Sequence, residues 1–381
     1  MKFWGGGNRQ VIEVASRLSA KYDLMMFMGP TSQLTEQRLS QARLRFSVHS
    51  FLSTNSPIYW SCMPLANRFA ASRLRESLSE YDAVITSYLS ANMIASAAHD
   101  NVLYYCFEPF SLFYNRTAIR SLTPSNRLFW EPLGRLYRSL DIKATRRAKS
   151  VLTIDQYTSD FIRRLYGRQS LVTRSGVDTV FFSPRTDTRP GFEKYSGKRV
   201  ILSQTHGYSY FDGCEYLLCA AASLKRRHPG VHVIFTSMFT NPARLAFLES
   251  LARGLGMASS VEFLGFVDEG LLPYYYALAD VVVQPAIDIN TLLTVKEAMS
   301  CERPVIVFEG GPAEDIRGAD CGMVVPKQSA TRLAEAMDAI LGDRGLAARM
   351  GRNGRRRAID LFSWDSVAAN VGATVDAALR S

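Results

Sequence analysis

Glu297 stands in an oily setting. Its neighbours Leu293, Val295, Ala298 and Met299 read as buried positions of a helix within NTLLTVKEAMSCERPVIVFEGGPAED, residues 290–315. A carboxylate in such a place must be hydrogen-bonded, paired with a charge, or completed by a ligand. Asn290 suits the N-cap of that helix, and Thr291, Leu292, Leu293 and Thr294 follow with backbone N–H groups that begin unpaired. A helix start carries partial positive charge, and its free N–H groups bind phosphate. Glu297 follows about 10 Å further along and nearly on the same face. Such a carboxylate can accept from two adjacent hydroxyls at once. The competing reading of a lone helical glutamate is a solvated surface residue.

The elements that must hold these residues alternate. Candidate strands are Leu24–Met28, Ala83–Thr86, Val102–Cys106, Ser150–Ile154 and Leu171–Thr173. A polar, proline-containing stretch from Ser183 to Lys198 interrupts them. Alternation then resumes with Arg199–Ser203, Val231–Thr236, Val261–Phe263, Val281–Gln284, Pro304–Phe308 and Met323–Val325. Apolar strands alternating with helix-length segments imply α/β architecture, with parallel sheets covered on both faces. Two such runs imply two doubly wound, Rossmann-like domains facing a cleft, with ligands where strand ends meet helix starts. The opening MKFWGGGNRQVIEVASRLS gives a convincing helix over Arg9–Ser19, but only four residues precede Gly5. The first strand is therefore expected to be a stub or to lie upstream.

With 381 residues, 47% hydrophobic and 21% charged, the chain suits two globular domains. No apolar run approaches the roughly 20 residues of a membrane-spanning helix, and the N-terminus lacks the pattern of a secretory signal. Six scattered cysteines without a Cys-x-x-Cys pair suggest reduced thiols in a cytoplasmic protein. No His/Cys/carboxylate cluster has metal spacing, so no metal is expected. A net charge of +10 concentrates in Arg116–Lys149 and Arg349–Arg357. In the first stretch basic residues interleave with Phe113, Tyr114, Phe129, Trp130, Leu136 and Tyr137. That mixture suits an anionic membrane surface or a solvated helix face. No nucleic-acid-binding motif accompanies the charge.

Several blocks resemble glycosyltransferase family 4, retaining enzymes with the GT-B fold. They are GVDTVFFSP (176–184), VEFLGFVDEGLLPYYYALADVVVQP (261–285), KEAMSCERPVIVFEGGPAEDI (296–316), CGMVVP (321–326) and RMGRNGRRRAIDLFSWDSVAANV (349–371). Weaker echoes are GGGNRQVIEVASRLS and YYCFEPF. The resemblance implies an acceptor-side domain over residues 1–182 and a nucleotide-sugar-binding domain over 183–360. It also implies that a helix over 361–381 returns to the first domain. The implied reaction moves a hexose from a nucleotide sugar to a glycan or lipid-linked acceptor, with retention, in surface polysaccharide synthesis. The nucleotide sugar is then a co-substrate and no cofactor is needed. With the scattered cysteines and the basic–aromatic stretch, the expected setting is cytoplasmic or peripheral to the inner face of the membrane.

In the family, the turn at Asn290–Leu293 cradles the donor diphosphate and the glutamate matching Glu297 holds the ribose hydroxyls. Three departures stand against this. The family's first glutamate falls at Ile289, with Asp288 and Asn290 as substitutes, and its close-approach glycine falls at Leu292. The arginine and Lys-Gly after the strand Arg199–Ser203 are missing from SQTHGYSYFDGCEYLL. His206, Lys296 and Arg303 are left to offset a departing diphosphate, and Asp212 caps a helix or repels it. Phe107 stands where the family often has histidine, with Glu108 beside it to orient an acceptor hydroxyl or open a helix. Gly6 and Gly7 bring backbone close to phosphate or acceptor; Gly265 and Phe266, ending FLGF, read the base through backbone or are ordinary core. Glu309, Gly310 and Gly311 suit close approach to the donor sugar. The alternative function is a GT-B-fold binding or scaffold protein with impaired catalysis.

Overall fold

Along nearly the whole chain the apolar runs become parallel strands and the amphipathic segments become helices that cover them. The computed structural model describes residues 6–50, 57–114, 124–187, 189, 191–287 and 292–380. The chain divides into two units, Met1–Ser175 with Trp364–Ser381, and Gly176–Ser363.

The first unit runs α1 (Gly6–Leu18), β1 (Met25–Met28), α2 (Gln33–Gln41), β2 (Arg45–Val48), α3 (Pro57–Ser79), β3 (Val84–Thr86) and α4 (Leu89–Ala98). It continues with β4 (Val102–Cys106), α5 (Ser111–Tyr114), α6 (Pro124–Arg147), β5 (Ser150–Thr153), α7 (Gln156–Tyr166) and β6 (Leu171–Val172). Its described strands form two parallel sheets, β1-β2 and β3-β4-β5-β6. The first helix begins at Gly6, three residues before the expected Arg9; Gly5 and the residues before it lie outside the described ones. Helix α15 (Trp364–Arg380) belongs to this unit. Its Val367, Val371, Val375 and Ala378 share a buried cluster with Val14 and Leu18 of α1 and with Leu103, Tyr105 and Leu152 of the sheet.

The second unit runs β7 (Arg199–Thr205), α8 (Cys214–Leu224), β8 (Val231–Ser237), α9 (Pro242–Gly254), β9 (Val261–Gly265), α10 (Leu272–Leu278) and β10 (Val281–Gln284). Then follow α11 (Leu293–Ser300), β11 (Val305–Phe308), α12 (Ala313–Ile316), β12 (Gly322–Val325), α13 (Ala330–Gly342) and α14 (Arg344–Phe362). All six strands are parallel, in the order β12-β11-β10-β7-β8-β9. Both faces are dry because strand side chains alternate between them. Ile201, Val233, Val281 and Ile306 meet α8 and α13 in one cluster. Val200, Leu202, Ile234, Val282 and Val305 meet α11 in the other.

The units divide after Ser175, not at the expected 182, because the next residues are fastened to the second unit. Val177 bridges Ser363, and the Phe182 carbonyl accepts from Ser300 Oγ at 2.5 Å and from the Arg355 guanidinium at 3.1 Å.

Candidate functional site

In a doubly wound sheet, ligands bind beyond the carboxyl ends of the strands, where the strand order reverses. In the second unit that place is between β7 and β10. The two strand ends are tied by one side-chain amide: oriented to satisfy both partners, the Gln284 amide donates to the backbone carbonyl of Gln204 at 2.9 Å and accepts from its backbone N–H at 3.0 Å. The loops beyond are laced together. Ile287 N–H donates to the Phe211 carbonyl at 2.7 Å. Gly213, at φ 66°, leaves no room for a side chain, since a Cβ there would lie 2.0 Å from the Pro285 carbonyl oxygen. Only glycine fits this close approach in a left-handed conformation.

Helix α11 opens just past this junction. Its N-cap is Leu292 rather than the expected Asn290, and no side chain caps it. Leu292 is buried with Val295, Ala298 and Met299, so apolar packing sets the helix start. Leu293 is the first helical residue and is half-buried. Asp288, Ile289, Asn290 and Thr291 lie outside the described residues.

Glu297 is 6% exposed. Its Oε2 accepts from the hydroxyl of Tyr276, 2.7 Å away on α10. The same hydroxyl lies 3.3 Å from the Thr294 carbonyl, and the Tyr276 ring packs edge-on against Phe182. The chain thus supplies a hydrogen bond that the sequence reading had left to a ligand. Tyr276 was missed because 21 residues separate the partners. The only local sign was the run Tyr274–Tyr276.

Of the three side chains expected to offset a diphosphate, two are committed elsewhere. Lys296 is 1% exposed and its ammonium lies 2.5 Å from the Asp315 carboxylate of α12. Arg303 donates to the carbonyls of Cys301 and Ala279, and burial lowers its pKa. His206 keeps a half-exposed ring 3.9 Å from Asp212. Asp212 does not cap α8, whose N-cap is Gly213. It folds back instead, accepting from the N–H groups of His206 and Ser209 at 2.9 and 2.7 Å and from the Ser209 hydroxyl at 2.9 Å. It thereby closes a short turn over Tyr210–Asp212. Burial pushes its carboxyl up, while these donors pull the other way.

The neighbouring strand ends present aromatic rings. Gly265 has φ 64° and donates its N–H to the buried Tyr208 hydroxyl at 2.9 Å, so that group is engaged within the protein. Phe266 beyond it is 74% exposed. Phe239, after β8, is also exposed, and its ring covers Gly207 of the β7–α8 loop. On the other side of β10, Glu309 extends the β11–β12 ladder through its N–H to the Val325 carbonyl, leaving an exposed side chain. Gly310, at φ 143°, and Gly311 form the turn into α12, their carbonyls accepting from Ala313 and Glu314. Phe266, Leu293, Glu309 and the Gly310–Gly311 turn thus occupy the carboxyl edge of one sheet, and Glu297 sits in the second turn of the helix that opens there.

The remaining candidates are in the first unit. Gly6 and Gly7 are the first residues of α1 rather than an open turn. A Cβ at Gly7 would lie 3.1 Å from the Tyr88 hydroxyl and 3.4 Å from Phe107. Phe107 packs edge-on against Tyr105 and Tyr88, an aromatic role for the residue in the place of histidine. Glu108 is exposed beyond β4, yet protein crowds it; desolvation and then the negative charge of Asp155 raise its pKa.

Comparison with known proteins fits this geometry. Residues 184–357 match the family described as glycosyl transferases group 1. The matched segment spans the sheet of the second unit and the helices that cover it, and the fold is GT-B. Among curated relatives it is 31% identical, over 206 residues, to the GDP-mannose-dependent alpha-(1-6)-phosphatidylinositol monomannoside mannosyltransferase of Mycobacterium tuberculosis, covering 51% of this chain and 53% of that one. It is likewise 31% identical to the D-inositol 3-phosphate glycosyltransferase of Geodermatophilus obscurus, covering 58% of this chain and 51% of that one. The chain spans about half the length of the curated relatives it matches. Among solved structures, sucrose-phosphate synthase from Thermosynechococcus elongatus aligns over 98% of this chain and 93% of its own, with TM-score 0.77 and 20% identity. Anabaena HepE in complex with UDP aligns over 99% and 97%, with TM-score 0.77 and 18% identity, a likeness of fold.

Proposed function

We propose that the protein is a retaining glycosyltransferase. It moves a hexose from a nucleotide sugar to a glycan or lipid-linked acceptor at the inner face of a membrane, in surface polysaccharide synthesis. The observation that carries this reading is Glu297, a buried carboxylate just past the reversal of strand order, inside the family-matched segment. Its role is to accept from the ribose diol, with Tyr276 fixing the carboxylate from the protein side. Phe266 offers a ring face to the base, and the Glu309–Gly311 turn approaches the sugar. In the transfer, the acceptor oxygen bonds to the anomeric carbon as the bond to the diphosphate breaks. The hydroxyl proton passes to a diphosphate oxygen, so no protein nucleophile or metal is required. Catalysis is then orientation and charge stabilisation. The names of the relatives support both a nucleotide-sugar donor and a lipid-linked acceptor.

A second reading is a binding protein that keeps the donor site without turnover. The commitment of Lys296 and Arg303 to internal partners favours it, because a departing diphosphate needs cations. Calorimetric titration of the intact chain with UDP and with GDP tests the site itself. One of them should bind, and Glu297→Ala should weaken it by about 1.5–3 kcal/mol, roughly 10- to 150-fold in Kd. If neither nucleotide binds, both readings fail. Binding without hydrolysis or transfer across a panel of nucleotide sugars and acceptors leaves the second.

A further inference from the structure

Helix α6 buries most of the aromatic residues that its sequence interleaves with basic ones. Phe113, just before it, and Tyr137 are almost wholly buried, and Trp130 packs edge-on against Trp60. Different apolar residues face solvent. Leu128 is 78% exposed and Leu136 57% exposed, with Phe129 between them at 37%. At 100° per residue these three share one face with the exposed Arg135, Lys143 and Arg147. Among the described residues those three cations have no acidic partner, and Glu131 is the one carboxylate on the same exposed face. Tyr137 lies on the opposite, buried side of α6, where its hydroxyl donates to the Trp60 carbonyl of α3 at 2.7 Å and fixes the helix with its apolar–basic face outward.

We infer that this face of α6 docks on an anionic lipid bilayer. The Leu128, Phe129 and Leu136 side chains enter the headgroup–acyl boundary while Arg135, Lys143 and Arg147 meet lipid phosphates. Three arguments select that occupant. The cations are unpaired and of one sign, so they seek a negative surface. Exposed leucines gain free energy at an acyl boundary but gain nothing from the phosphates and base edges of nucleic acid. The chain carries +10 overall, which favours attraction to an acidic surface over self-association. The face is separate from the donor site, so its test does not depend on nucleotide binding.

Co-sedimentation of the intact chain with vesicles measures it. Vesicles of phosphatidylglycerol and phosphatidylcholine should bind the protein, those of phosphatidylcholine alone should not, and added salt should release it. Arg135→Gln with Lys143→Gln should lower the partition constant about fivefold per residue removed. Leu128→Glu with Leu136→Glu should abolish binding while circular dichroism stays unchanged. Arg226→Gln with Arg253→Gln, an equal charge change on the second unit, should leave binding intact. The inference is overturned if the anionic vesicles bind nothing, or if both pairs of arginine and lysine variants lose binding equally. It is also overturned if the leucine variants instead dissolve a dimer seen in sedimentation of the protein without lipid.

Discussion

Two tyrosine hydroxyls, from Tyr114 and Tyr166, donate to one oxygen of Asp141 at 2.7 and 2.8 Å. The carboxyl is wholly buried, and its Oδ1 has no partner among the described residues. Desolvation outweighs the two hydrogen bonds and lifts its pKa from 3.8 to about 6. The native state therefore holds a proton that the unfolded chain has released between those two values. Stability from this group is fully present below pH 3.8 and is lost as pH rises through about 6. The full span is on the order of 3 kcal/mol. Chemical denaturation of the first unit should show stability rising from pH 7 to pH 5, and Asp141→Asn should flatten that slope. An unchanged slope in the variant would remove Asp141 as its source. Glu297 has the same kind of tyrosine donor, but it lies near the carboxyl edge of the sheet, where a ligand can add to the protein's hydrogen bond.

Single elements were legible in the sequence to the degree that their burial is uniform. Strands β4 and β10 are buried at every position and match the apolar runs Val102–Cys106 and Val281–Gln284. Strand β2 has an exposed–intermediate–intermediate–exposed pattern and gave no apolar run to read. The start of α11 was misplaced because Asn290 has the cap chemistry, while packing of Leu292 decides the boundary. The pairing that takes Lys296 out of the diphosphate candidates is hidden from the sequence, because its partner Asp315 is 19 residues away, on another helix. That buried pair joins α11 to α12 behind the candidate site, under the Phe362 ring. Removing one partner strands a charge, whereas removing both does not. Lys296→Met should cost about 3–5 kcal/mol in urea denaturation, and Lys296→Met with Asp315→Leu should recover most of it. Equal losses in the single and double variants would show that the pair is not coupled.

At the scale of the whole molecule, α15 is the last element in sequence but belongs to the first unit. Its burial there is backed by polar ties. Lys149 donates to the Ala378 carbonyl at 2.8 Å, Tyr22 donates to Asp376 at 2.7 Å, and Arg17 pairs with Asp365. The exposed ion pairs contribute little, so the weight falls on Val367, Val371, Val375 and Ala378. Burying a valine side chain is worth about 1.5–3 kcal/mol, and a domain's net stability is only about 5–15 kcal/mol. Ending the chain at Ser363 should therefore unfold the first unit, or bring it close to unfolding. The second unit's sheet uses no residue of α15 in either of its core clusters. Hydrogen exchange on the shortened chain should show lost protection in β4 and β5 and retained protection in β7, β8, β10 and β11. Nucleotide binding should survive if the donor site lies wholly in the second unit. Uniform loss of protection would mean that the two units fold as one cooperative body. Unchanged protection in β4 and β5 would mean that the sheet of the first unit is held without its last helix.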